Sequence, residues 1–329
     1  MASMKLLSRL WPAVAALVWC AVWPMHAIGQ SYPAKPVRIV VPYPTGGSAD
    51  FVARVIAQKL SELWSQQVVV DNRPGANGGI GVEQVARSQA DGYTLLLASE
   101  IQFVINPALF AKLTYDLARD FEPVTLITVA VNVLIANTSV AANNVTELIA
   151  LARANPGKIN YASPGTASPN HLSMELLQRL AGVSMTHIPY KGAGQAVPDI
   201  IAGQVQIMFN GIPQTLTQLA AGRIKALAVG SQQRLAALPN VPTVAEAGFP
   251  GFESAVAWSL FAPAGTPRDV INRVQGDVAK LLGQADLRER FVAAGLTPIG
   301  STPAELAARL SADRDRWPRL IREAGIKAE

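Results

Sequence analysis

The sequence predicts an α/β protein built on a mainly parallel sheet and divided into two units. Three observations carry that reading. Short β-branched runs alternate with stretches of helical periodicity from residue 37 onward. Glycine-rich turns stand where a strand hands over to a helix. Half of the 329 residues are hydrophobic and only 16% are charged, which excludes intrinsic disorder and allows a substantial core.

The elements follow in order. Residues 1–29 read as a secretory signal: Lys5 and Arg9 form a positive start, Leu10 to Trp23 a short apolar stretch broken by Pro12, and Ala27 and Gly29 a small-residue cleavage site. Cleavage near Gly29 removes Cys20, the only cysteine, and so excludes disulfides, a thiolate nucleophile and a Cys-based metal site. Val37 to Val41 is a strand. It leads into the turn Pro42 to Ser48, and Phe51, Val52, Val55, Ile56, Leu60 and Leu63 then recur at helical spacing. Gln67 to Val70 is the next strand, followed by a second glycine-rich loop from Asp71 to Gly81, a helix through Arg87 and a strand from Tyr93 to Ala98.

A second unit opens with a strand at Asn132 to Ala136. A helix from Thr146, a strand from Ile159 to Ala162 and a loop from Ser163 to Asn170 follow. Met185 to Ile188, Val205 to Phe209 and Ile224 to Val229 are strands, with helices near Ala196 to Ala202 and Pro213 to Ala221. Residues 238–252 read as a connector. Thr266 to Gly325 is mostly helical, and three long helices without a sheet of their own must pack on the first sheet.

The chemistry is bounded by what is scarce. Without the signal, 26 bases face 23 acids and no Lys/Arg run stands out, so nucleic acid is excluded as the main partner. His171 and His187 are the only histidines beyond the signal, no zinc, P-loop, nucleophile-elbow or dinucleotide motif occurs, and neither a metal nor a cofactor is expected. Both histidines read as structural. Asp50 and Arg54, four apart, read as a structural pair. Asp71 and Arg73 could orient the second loop or meet a ligand. Tyr190 and Lys191 could form a cleft wall or an exposed turn.

What the chain does offer is backbone N–H groups at helix starts. Thr45, Gly46, Gly47 and Ser48 lead into one helix N-terminus, where unpaired donors and the helix dipole favour an anion. Ser163, Pro164, Gly165, Thr166, Ala167 and Ser168 repeat that chemistry with added hydroxyls. Two such loops could face each other across a cleft and hold a carboxylate. Either could also be an ordinary turn with a helix cap.

At these loops the sequence resembles the Bug family, the extracytoplasmic receptors of tripartite tricarboxylate transporters. The residues that carry the resemblance are Val41-Pro42-Tyr43-Pro44 with Gly46-Gly47-Ser48, Asn72-Arg73-Pro74-Gly75-Ala76, Asp91-Gly92-Tyr93-Thr94-Leu95, Tyr161-Ala162-Ser163 with His171-Leu172, Pro189-Tyr190-Lys191-Gly192 and Val241-Pro242-Thr243-Val244-Ala245-Glu246-Ala247-Gly248. The resemblance implies a type II periplasmic binding protein fold, two lobes joined by crossing strands with a ligand cleft between them. Lobe 1 would hold residues 30–130 plus 251–329, and lobe 2 residues 131–250.

It also implies a non-enzymatic, monomeric periplasmic receptor that passes a small carboxylate-bearing metabolite to membrane permease subunits. Its ligand-binding residues would be Tyr43, Thr45, Gly46, Gly47, Ser48 and Ala49, with Ser163, Gly165, Thr166 and Ser168 opposite, and Ser99 and Asn210 beside them. Thr45 departs from a proline common in the family, and Asn210 from an aspartate. The alternatives are a sensory receptor for a membrane kinase, or an enzyme that acts on an anionic substrate through His171 or Lys191.

Overall fold

The computed structural model describes residues 32–110, 112–190 and 193–327. The expected signal, with Cys20, and the Lys191–Gly192 pair lie outside the described residues.

The first strands form as the sequence suggests. β1 (Val37–Val41) pairs in parallel with β2 (Val68–Asn72) and β3 (Thr94–Ala98). Between them α1 (Ser48–Trp64) buries Val52, Val55, Ile56 and Leu60 along one stripe against β1 and β2. It ends at Ser65, whose φ of 52° closes the last turn in the left-handed region. α2 (Gly79–Ala86) makes the crossover between β2 and β3.

β4 (Phe121–Asn137) is a single 17-residue strand that belongs to two sheets. Its first part pairs with β9 (Ala255–Pro263) on one side and β10 (Leu296–Pro298) on the other, extending the first sheet. Its last part, from Asn132, pairs with β7 (Ile207–Gly211) and β8 (Ile224–Val229). β7 continues in parallel to β5 (Asn160–Ser163) and β6 (Thr186–Pro189) to complete the second sheet. α3 (Val145–Ala154), α4 (Pro169–Ala181), α5 (Ala193–Ile201) and α6 (Ile212–Ala220) connect its strands.

One expectation changes here. The sheet is mixed rather than mainly parallel, because every described pairing of β4 and β9 is antiparallel. Thr266–Gly325 is mostly helical, as expected; β9, just before it, and the short β10 within it join the first sheet. α7 (Arg268–Leu282) and α9 (Pro303–Glu323) then pack on β4, and α8 (Ala285–Ala293) on β10. α9 starts with a capping box between Thr302 and Glu305, which satisfies orphan N–H groups at both positions.

The chain passes between sheets at two adjacent points, Val131–Asn132 and Ser254–Ala255. Asn132 donates its amide to the Ser254 carbonyl at 2.9 Å and accepts the Gly230 amide at 2.8 Å, while Ser254 donates to the Gly230 carbonyl at 2.9 Å. Gly230 is required there by space. A Cβ on it would lie 2.6 Å from both Cβ and O of Ser254.

Candidate functional site

β1 ends against Pro42, and the chain turns through Tyr43 to Gly47 before α1 begins. Gly46 has φ +87°, which favours a residue without Cβ. Its amide donates to Asp50 Oδ2 at 2.9 Å, and Arg54 Nη2 pairs with Asp50 Oδ1 at 2.9 Å. Burial opposes the ionisation of Asp50, but the hydrogen bonds from Arg54 and Gly46 outweigh it and hold the carboxyl below its usual range. The Gly46 donor is therefore engaged inside the loop. Gly47, the cap residue of α1, makes no side-chain cap, so the first-turn amides have no capping acceptor. Thr45 to Ser48 are exposed and Ala49 is buried.

Tyr43 and Ser99 come together. The Tyr43 hydroxyl lies 2.8 Å from Ser99 Oγ and donates to Gln102 Oε1 at 2.8 Å. The Trp258 ring meets Tyr43 edge-on at 5.3 Å, and Asn72 Nδ2 donates to the Tyr43 carbonyl at 3.1 Å. Burial pushes the Tyr43 phenol above its ordinary value, so it stays neutral and can donate. Gln102 and Trp258 were not singled out in the sequence, and Asn72 only as part of the family motif. The only available signal for Gln102 was its place three residues after Ser99, at the C-terminal end of β3.

The second loop is largely self-satisfied. Ser163 is fully buried, and its Oγ donates to the Gly165 carbonyl at 2.8 Å and lies 2.7 Å from His187 Nε2. The Gly165 amide donates back to Ser163 Oγ at 3.2 Å, and the Ala167 amide to His171 Nδ1 at 2.9 Å. Ser168 caps α4 by accepting the His171 amide at 3.3 Å. His171 stacks on His187 with ring centroids 3.7 Å apart. Desolvation and the neighbouring His187 bring His171 down to about 3. A neutral imidazole with Nδ1 accepting a hydrogen bond is a structural fixture of this loop.

Asn210 is buried and donates to Thr215 Oγ1 at 3.3 Å. Tyr190 donates to Asp199 at 2.7 Å, and burial together with that carboxylate pushes its phenol up to about 12. Asp71 pairs with Arg73 at 2.9 Å, orienting the second loop. Among the described residues no group of three His, Cys, Asp or Glu could hold a metal ion.

A cavity of about 650 Å³ opens between Gly165, Thr166 and Ala167 on one side and Ala76, Gly79, Ile80, Leu109, Phe110 and Lys112–Tyr115 on the other. Gly165 and Thr166 are the expected site residues that line it. Thr45 to Ala49, Tyr43, Ser99, Ser163, Ser168 and Asn210 do not. In this cavity it is the second glycine-rich loop, not Thr45–Ser48, that faces Gly165 and Thr166. The link to the first loop is indirect. A Cβ on Gly78 would lie 2.7 Å from Gln102 Nε2, and Gln102 holds Tyr43.

The family described as the tripartite tricarboxylate transporter family receptor matches residues 52–326. The chain belongs to this family. BugT of Bordetella pertussis, one relative, is 36% identical over 299 residues, covering 91% of this chain and 92% of its own. Rpa4515 of R. palustris, solved with adipate, is 35% identical with a TM-score of 0.78, over 90% of this chain and 99% of its own. MatC of Rhodopseudomonas palustris, solved with bound malate, is 32% identical with a TM-score of 0.73, over 88% of this chain and all of its own. The resemblance read from the sequence is borne out, and with it the type II periplasmic binding fold: two lobes joined by crossing strands. Family members are periplasmic binding proteins, and among the described residues of this one no helix is long and apolar enough to cross a membrane.

Proposed function

We propose that this chain is a periplasmic receptor that captures a carboxylate-bearing solute between its lobes and presents it to membrane permease subunits, without catalysing a reaction. The observation that carries this reading is the cavity between the second glycine-rich loop and the Gly165–Ala167 turn, in a member of a family whose relatives were solved with adipate and with malate. The lobes comprise residues 30–130 plus 251–329, and 131–250. The strand crossings at Val131–Asn132 and Ser254–Ala255 are the hinge candidates. The ligand would shift the hinge equilibrium by touching both lobes. Tyr43, Ser99, Gln102 and the first turn of α1 form a separate polar group, tied to the second glycine-rich loop by the close approach of Gln102 to Gly78. Residues 1–29 act as a signal cleaved near Gly29, and the mature protein is a monomer.

The enzyme alternative is weakened at His171, which is buried, neutral and stacked on His187; Lys191 lies outside the described residues.

The test is thermal unfolding of protein stripped of ligand by denaturation and refolding, against a panel of mono-, di- and tricarboxylates. A ligand at a hundred times its Kd adds about 2.7 kcal/mol of stability and raises Tm. A panel that moves Tm nowhere would remove the reading.

A further inference from the structure

We infer that the ligand is an organic acid with a single carboxylate and an apolar body, an alkyl chain or an aromatic ring, rather than a compact polyacid. This rests on the receptor reading and narrows it.

The cavity wall contributed by the first lobe is apolar. Ile80, Leu109, Phe110 and Leu113 line it, and Ile80 is 54% exposed, so its side chain is open to a ligand in the cavity. The charges on the wall are few. Glu83 is engaged by Arg87 and by Thr114, whose hydroxyl donates to it at 2.9 Å. Lys112 has no ion-pair partner among the described residues, which leaves one cation to meet one anionic group. Away from Lys112 and the Tyr115 and Thr166 hydroxyls, a further carboxylate would lie against the side chains of Ile80, Leu109, Phe110 or Leu113, which offer it no cation, and burying an unpaired carboxylate is strongly unfavourable. An alkyl or aryl body would instead leave water for a surface that matches it. The volume, about 650 Å³, lies well inside the 300–1,000 Å³ typical of small-molecule sites.

The experiment is titration calorimetry on ligand-stripped full-length mature protein with propionate, hexanoate, octanoate, 3-phenylpropionate, malate and citrate. Affinity is expected to rise about fourfold with each methylene buried, the equivalent of ~0.8 kcal/mol. Octanoate or 3-phenylpropionate should bind at least tenfold tighter than malate or citrate. Ile80→Asn, at an exposed position, should weaken octanoate at least threefold more than it weakens propionate, with its urea midpoint checking that the fold is kept. Malate or citrate binding tighter than every apolar acid, or no gain along the alkanoate series, overturns this inference while the carboxylate receptor stands. Binding of none of the six overturns both.

Discussion

Two buried groups make stability depend on pH in opposite senses between about pH 4.5 and 6.5, and separating them tests the packing around each. Glu100 follows Ser99, is 6% exposed, and accepts the Ala257 amide on Oε2 at 3.0 Å. Desolvation raises its carboxyl from 4.5 to about 7, with Asp313 adding to the rise and Arg309 opposing it. A folded pKa above the unfolded one means that the folded chain binds the extra proton in this window. The stability it contributes is full below pH 4.5 and is lost as pH rises to 7, by about 1.4 kcal/mol per unit and roughly 3 kcal/mol in all. His171 is the reverse. Its pKa falls from 6.5 to about 3 on folding, so below pH 6.5 the unfolded chain binds more protons and stability drops as pH falls, again by about 1.4 kcal/mol per unit.

In the shared window the two slopes cancel in the intact protein, and each substitution unmasks the other group. Glu100→Gln keeps a carbonyl for the Ala257 amide, and His171→Asn keeps an acceptor for the Ala167 amide. Urea unfolding at half-unit steps from pH 4.5 to 8 gives the stability of each variant minus that of the unsubstituted chain. For Glu100→Gln that difference should climb by roughly 3 kcal/mol as pH rises. For His171→Asn it should climb by roughly 3 kcal/mol as pH falls from 6.5 to 4.5. A Glu100→Gln difference constant within about 0.5 kcal/mol across the range would refute the claim that burial keeps this carboxyl protonated.

Other perturbations have signs fixed by geometry. Gly230→Ala forces a methyl against Ser254 Cβ and O at the strand crossing, where backbone cannot yield cheaply, and should destabilise by about 1–3 kcal/mol in urea unfolding. Gly276→Ala, inside α7 with nothing within 4 Å of the new methyl, should stabilise by up to about 1 kcal/mol in the same assay. Ser168→Ala removes the acceptor for the His171 amide and should cost about 1 kcal/mol of stability, read from the denaturant midpoint. Tyr43→Phe deletes the hydroxyl that Ser99 and Gln102 share, and a loss of about 1 kcal/mol in thermal unfolding checks it.

What the sequence revealed of the fold was local. β1 and β8 fall on the residues expected: β1 is a β-branched run closed by Pro42, and β8 a mostly apolar run closed by Gly230. The first half of β4 and the whole of β9 escaped notice. Pro123 interrupts the former, and Ala255–Pro263 mixes Ala, Ser and Trp without clear alternation. Their antiparallel pairing joins residues more than a hundred positions apart, which periodicity within a window does not encode.

The site was legible as chemistry but not as geometry. A hydroxyl or glycine where a strand meets a helix marks an anion seat and a helix cap equally well, because both use the same first-turn amides. Only the acceptors of those amides separate the two. At α4 the cap is filled by Ser168, and the Gly165 and Ala167 donors turn inward to Ser163 and His171. At α1 the cap residue is Gly47, which has no side chain to offer. The two loops therefore do different work despite similar composition. The α4 loop shapes a wall of the cavity, while the start of α1 is where unclaimed donors face solvent beside the Tyr43–Ser99–Gln102 group. An anion that entered the cavity would meet Lys112 there and lay its carbon skeleton against Ile80 and Phe110, with the Gly165–Ala167 turn as the opposite wall.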